Sequence, residues 1–212
     1  MAALDTHEQE QIEAIKAWWN DNSRWLLGVF LIAALSMAGW RGWHYYKNNQ
    51  AQEAATLFHQ FSEQLGRGDA KLVNDAAAAL MDKFPSTVYA TRAALMAALV
   101  SEELKNLESA KKQLYWIIEH ATEDTMRDIA HLRLAAILLD EKNFADALMH
   151  LDAKHTASFD GLYSDLKGDV LNAQGQSDSA RTAYKLAYEK FDAQSSYRNL
   201  IQMKLDSLGL AK

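Results

Sequence analysis

Asp124, Asp128 and His131 stand at i, i+4 and i+7, a spacing that sets two carboxylates and an imidazole on one face of a helix and could offer three ligands to a metal ion. Nothing else in the sequence completes such a centre. No second helix supplies the matching Glu-x-x-His of a dimetal bundle, and there is no His-Glu-x-x-His, glycine-rich phosphate loop or nucleophile elbow. The chain contains no cysteine, which removes CxxC redox chemistry, cysteine-ligated zinc and a disulfide framework. Acidic residues early in a helix are favoured there by its dipole, so the trio reads as a solvated face. His150 and His155 sit in or beside a predicted connection between helices and are expected at the surface. The expectation is a protein without catalytic residues, metal or cofactor. A formal net charge of −6 is spread over 212 residues, and no Lys/Arg stripe could neutralise phosphates in series, so nucleic acid is not an expected partner.

Binding surfaces are the remaining possibility, and these depend on the elements that carry them. After residue 46, apolar residues recur at three and four positions and never alternate at two for the length of a strand, which predicts an all-α domain. Pro85 marks a stop after Phe84, with Ser86-Thr87 as the next N-cap, and Gly66-Arg67-Gly68-Asp69 is a tight turn. Neither proline nor glycine stands between Tyr46 and Leu65, so one helix is expected to run through that stretch.

A repeat is visible as well. Ala98 is followed twelve positions later by Ala110, Ala135 by Ala147 and Gly168 by Ala180, with intervals of 37 and 33 residues between units. Leu114, Leu151 and Tyr184 lie four residues after each alanine, one turn along the same face. The pattern resembles the tetratricopeptide repeat, whose helix-turn-helix units of about 34 residues place small residues where paired helices approach closely. The copy from Gly168 to Ala187 carries the family's Gly, Gly, Ala, aromatic and Ala in phase, whereas Lys105 and Lys142 replace the turn glycine in the first two units. A further, divergent hairpin is expected over about residues 50–65 and 70–83, and a final helix with Tyr197, Leu200, Ile201, Leu205 and Leu208 on one side would cap the last repeat. The alternative is a helical bundle in which the alanine spacing is coincidental.

The tetratricopeptide resemblance implies a concave groove lined by the first helix of each unit. Carried over in phase, the groove positions are Arg92, Leu95, Leu99, Glu102 and Glu103 in the first unit, and Ile129, Leu132, Ala136, Leu139 and Asp140 in the second. The third unit contributes Leu162, Asp165, Asp169, Asn172 and Ala173. The resemblance thus implies apolar ground with acid along one edge, suited to an amphipathic helix or a basic-apolar peptide. A leucine at such a position serves equally well as interhelical core.

Before the repeats lies a run of sixteen uncharged residues, Trp25 to Trp40. As a helix it covers ~24 Å, less than a hydrocarbon core of ~30 Å. Arg41 can snorkel, and Trp18, Trp19, Trp25, Trp40, Trp43, Tyr45 and Tyr46 form aromatic belts that extend the span. The expected organisation is a tail over 1–24, a single transmembrane helix over 25–46 and a helical repeat domain over 47–212. A buried core helix, and a signal peptide cleaved near Ser36-Met37-Ala38, are the competing readings. The acidic tail, with Asp5, Glu8, Glu10, Glu13 and Asp21, argues against the signal peptide. Ala34, Ala38 and Gly42 repeat at four residues and would let another membrane helix approach closely. Ile12, Ile15 and Trp19 give the tail an apolar side that could lie on the bilayer surface. Lys16 and Arg24 balance Arg41 and Lys47, so charge asymmetry does not orient the span.

Several stretches together resemble the YfgM family of membrane-tethered tetratricopeptide proteins associated with the Sec translocon. They are Ala17-Trp-Trp-Asn20, Arg24-Trp-Leu-Leu-Gly28, Gly39-Trp-Arg-Gly-Trp-His-Tyr-Tyr46, Phe84-Pro-Ser-Thr-Val-Tyr-Ala90 and the last repeat. The resemblance implies a single-pass protein of the bacterial inner membrane, N-terminus cytoplasmic and repeats periplasmic. It implies the SecYEG translocon, the chaperone PpiD, exported client polypeptides and the lipid bilayer as partners. An assembly factor for another envelope complex and a cytoplasm-facing adaptor remain the alternatives.

Overall fold

The computed structural model describes residues 6–192 and 194–210. Asp5 of the acidic tail lies outside them, and of the Glu8 side chain nothing is described. The chain divides into two compact units, Met1–Gln50 and Ala51–Lys212. Helix α1, Thr6–Arg67, runs without interruption through the stretch that lacks proline and glycine. Among the described residues it is the one helix long and apolar enough to cross a membrane, and none of its apolar window is buried within the chain. A buried core helix is therefore not what this segment forms.

The second unit is built of consecutive hairpins. The end of α1 pairs with α2 (Ala70–Lys83), α3 (Val88–Glu103) with α4 (Leu107–His120), α5 (Asp124–Asp140) with α6 (Phe144–Leu151), and α7 (Asp160–Ala173) with α8 (Ser177–Lys190). Helix α9, Ser196–Leu210, follows, and a 3-10 turn, Ala157–Phe159, precedes α7. Asp69 caps α2 by accepting from the Lys71 and Leu72 amides, and Thr87 caps α3 through the Ala90 amide. Ala98, Ala110, Ala135, Ala147 and Ala180 are completely buried, and Leu114, Leu151 and Tyr184 are buried beside them. The phased small residues are the sites of closest helix approach, which makes this a tetratricopeptide-like solenoid of four hairpins with a capping helix.

The turn of each unit explains the missing glycines. Lys105 (φ 62°) and Lys142 (φ 60°) adopt the left-handed conformation that Gly175 (φ 78°) takes in the third unit. The next amides, of Asn106, Asn143 and Gln176, reach back 2.8, 2.8 and 2.9 Å to the carbonyls of Ser101, Leu138 and Leu171, closing the same helix-ending motif three times. Asn106 and Asn143 then cap the following helices by accepting from the Ser109 and Asp146 amides. Helix α9 covers the end of the stack with fewer residues than its apolar pattern suggests. Ile201, Leu205 and Leu208 join the core of α7 and α8, whereas Tyr197 and Leu200 stay exposed.

Candidate partner-binding groove

Five groove positions converge on one cavity of about 390 Å³ between the first two units: Leu99, Glu102 and Glu103 from α3, and Ala136 and Asp140 from α5. The acid expected there is present, but Lys105 and Arg133 share the same walls. Arg133 donates to Glu102 Oε2 at 3.3 Å, leaving Glu102 Oε1 buried without a hydrogen-bond partner. Burial pushes the Glu102 carboxyl above its ordinary value, against the charge and hydrogen bond of Arg133. Neither cation was legible as groove, because Lys105 belongs to a turn and Arg133 falls between the positions that the repeat phase selects. The signal that finds Arg133 is its charge, opposite to that of Glu102 and one position after Leu132 on the facing helix.

The other positions divide. Leu95, Leu132 and Leu139 are half-buried and pack against the interhelical core, so in these three the core role is realised. Ile129 and Leu162 are half-buried, and Arg92, Asn172 and Ala173 exposed. In the third unit Asp165 is only 5% exposed, and Lys204 of α9 donates to Asp165 Oδ1 and Asp169 Oδ2, both at 2.8 Å. The acid edge of this unit is therefore occupied by the chain's own lysine. Burial raises the Asp165 carboxyl, countered by the Lys204 hydrogen bond and charge. Burial alone would depress Lys204, but the hydrogen bonds to Asp165 and Asp169 hold its ammonium above the ordinary lysine value. In the first unit of the chain, Ala34, Ala38 and Gly42 are exposed, and a Cβ added at Gly42 meets nothing within 4 Å.

The solvated reading of the acid-histidine face of α5 is corrected: Asp124 is exposed, but His131 is half-buried and Asp128 buried, and the face serves the fold. Asp128 is 2% exposed and accepts from the Thr156 amide at 3.0 Å and the Thr156 hydroxyl at 2.6 Å. The Tyr163 hydroxyl donates to the Asp128 carbonyl at 3.0 Å, so α5 is tied to the connection entering α7. Asp124 pairs with Arg127. Among the described residues no group of three or more His, Cys, Asp or Glu is placed to hold a metal ion.

The surface expectation for the other two histidines is corrected. His155 is half-buried, stacked on Tyr163 with centroids 3.8 Å apart. His150, in the last turn of α6, is 5% exposed, and its Nδ1 lies 3.0 Å from His131 Nδ1. One ring must donate and the other accept, so the contact requires at least one neutral imidazole. Burial lowers both pKa values. The charge of His150 lowers His131 further, while Asp128 opposes, and Asp146 opposes the shift of His150. The unfolded chain therefore binds protons that the folded chain refuses. Stability is complete above the ordinary imidazole value of about 6.5 and falls as pH drops from there through the lowered folded values, by up to about 1.4 kcal/mol per pH unit for each ring. Melting between pH 7 and pH 5 should show this slope, and His150→Leu should flatten it; an unchanged slope would mean that the pair does not control acid stability.

Residues 16–210 match the tetratricopeptide repeat-like domain family. The chain is similar along almost its whole length to proteins called ancillary SecYEG translocon subunit. It is 32% identical over 210 residues to that of Neisseria gonorrhoeae, covering 97% of this chain and 99% of the relative. It is 26% identical over 208 residues to that of Aggregatibacter actinomycetemcomitans (97% and 100%), and 24% over 207 residues to that of Escherichia coli (96% and 98%).

Proposed function

We propose, from the premise that this chain belongs to the tetratricopeptide repeat-like family and to the ancillary SecYEG translocon subunits, that it is a non-enzymatic scaffold and co-chaperone of the bacterial inner membrane. Residues 25–46 cross the bilayer, residues 1–24 lie in the cytoplasm, and the repeats face the periplasm. There they work beside SecYEG and PpiD on newly exported polypeptides. The observation that carries this reading is the 32% identity that extends over 99% of a relative named for the translocon, since a repeat domain alone fits many unrelated functions. The apolar stretch of α1, none of it buried within the chain, supports the anchor. Ala34, Ala38 and Gly42 form the face on which another membrane helix packs, and the cavity around Leu99 and Ala136 receives the partner or client segment.

Two measurements test it together. Protease added to spheroplasts should digest the repeats while a cytoplasmic marker survives; protection until the membrane is lysed would make the protein a cytoplasm-facing adaptor. Leu99→Glu should lower recovery of SecYEG and PpiD after mild solubilisation by about tenfold, the effect of one binding residue worth about 1.4 kcal/mol, with the melting curve retained. Full recovery would remove the groove from the interaction.

A further inference from the structure

A second recess shares no lining residue with the groove. It has a volume of about 630 Å³ and is formed chiefly by α4, faced by the end of α5, the turn that follows it and Asp146 at the start of α6, with Met81 of α2 also in its wall. A recess of this size accommodates a large side chain and its neighbours. Its apolar lining is Met81 and Trp116 over the buried Leu138, together with Tyr115. The Trp116 indole is held in place by His120, stacked at 4.6 Å and 7°. Tyr115 is 42% exposed, which presents a rigid amphipathic ring of the kind that anchors interfaces.

The charge around this floor is mixed, with an excess of acid. Glu108, Glu119, Glu141 and Asp146 face Lys111 and Lys112. Lys111 is already held by Glu108 at 2.7 Å and Glu141 at 2.8 Å. Asp146 accepts from the Asn143 side-chain amide at 2.6 Å, a contact that leaves its charge uncompensated. Four carboxylates against two ammoniums thus surround an apolar floor, with Glu119 and Asp146 at the walls. An anionic segment would be repelled, and a purely apolar one would gain nothing from the acids. A cationic-apolar segment satisfies both.

We propose that this recess, between α4 and the turn from α5 to α6, is a docking site for a short segment of a partner polypeptide that inserts one large apolar side chain flanked by lysine or arginine. The site shares no lining residue with the groove of the first two units, and, resting on the groove reading above, this gives the protein separate places for two polypeptide segments.

The test uses the full chain in dodecyl maltoside, whose uncharged micelles exert no charge attraction on the probe, and fluorescence anisotropy of a labelled peptide of Leu-Phe flanked by lysines, with protein-free micelles as the baseline. Tyr115→Ala, and Glu119→Lys with Asp146→Lys, should each weaken binding about tenfold, whereas Leu99→Glu should leave it within about twofold. The same peptide with glutamates in place of the lysines should not bind. Glu119→Lys alone changes one exposed side chain and keeps the test valid if the double variant unfolds; it too should weaken binding. The proposal is overturned if the lysine peptide does not bind the unaltered chain, if Tyr115→Ala and Glu119→Lys bind it normally, or if Leu99→Glu alone abolishes binding. That last result places the peptide in the groove and leaves the groove reading standing.

Discussion

Lys204→Met is expected to destabilise the repeat domain by about 2–3 kcal/mol at neutral pH, below the cost of breaking a fully buried charge cluster because Lys204 and Asp169 keep part of their exposure. The ammonium of Lys204 bridges Asp165 and Asp169 at 2.8 Å each, and the Tyr184 hydroxyl donates to Asp169 at 2.7 Å. Without the lysine, two carboxylates remain, and that of Asp165 is almost out of solvent. The variant can escape by protonating it. Burial already holds Asp165 above the usual carboxylate value, and loss of the cation raises it further. A carboxyl whose folded pKa exceeds its unfolded one contributes least instability below the unfolded value and more as pH rises through the folded value. The deficit of Lys204→Met should therefore shrink between pH 7 and pH 4.5. Urea unfolding followed by circular dichroism at both pH values measures it, and adding Asp165→Asn should recover most of the loss at pH 7. A deficit below about 1 kcal/mol at pH 7 would show that the cluster is not held by this lysine.

The same cluster shows why a repeat pattern conveys the fold more fully than the site. Buried small residues at Ala98, Ala135 and Gly168 are dictated by local geometry within one hairpin, and local geometry leaves a periodic trace in sequence. Lys204 lies 39 residues from Asp165, on a helix outside the repeat, so phase could name Asp165 as groove but could not supply its partner. Lys105 and Lys142 show a milder form of the difficulty. Their left-handed backbone is enforced by the two helices that the turn joins, although lysine does not favour it. Its place beside a connection between helices points His150 to the surface, yet its face turns inward onto His131, a choice made by tertiary packing. The i, i+4, i+7 face of α5 was legible as a face; that Asp128 spends itself on Thr156 depends on where the connection after α6 passes.

Gly168 is the position where repeat phase, packing and groove geometry meet, and Gly168→Ala should lower stability by about 1–3 kcal/mol despite the better helix propensity of alanine. A Cβ there would lie 2.4 Å from Tyr184 Cδ1 and Cε1. The ring has little freedom to retreat, since it is 2% exposed, its hydroxyl is bound to Asp169 and the Lys204 ammonium lies 5.5 Å from its centroid. In the other two units the paired positions are Ala98 with Leu114 and Ala135 with Leu151. The third unit instead places an aromatic ring where they have leucine, and the facing helix gives up its Cβ to admit it. It follows that Gly168→Ala combined with Tyr184→Leu should be more stable than Gly168→Ala alone, because it restores the pairing of the other units. Thermal melts of the two variants and of Tyr184→Leu decide this. If the double variant loses the sum of the two single effects, the glycine is not there for the ring, since sites coupled through one contact do not add. If the losses cancel in part, the aromatic at Tyr184 is what sets the spacing of α7 and α8, and with it the place at which Asp165 and Asp169 meet the capping helix.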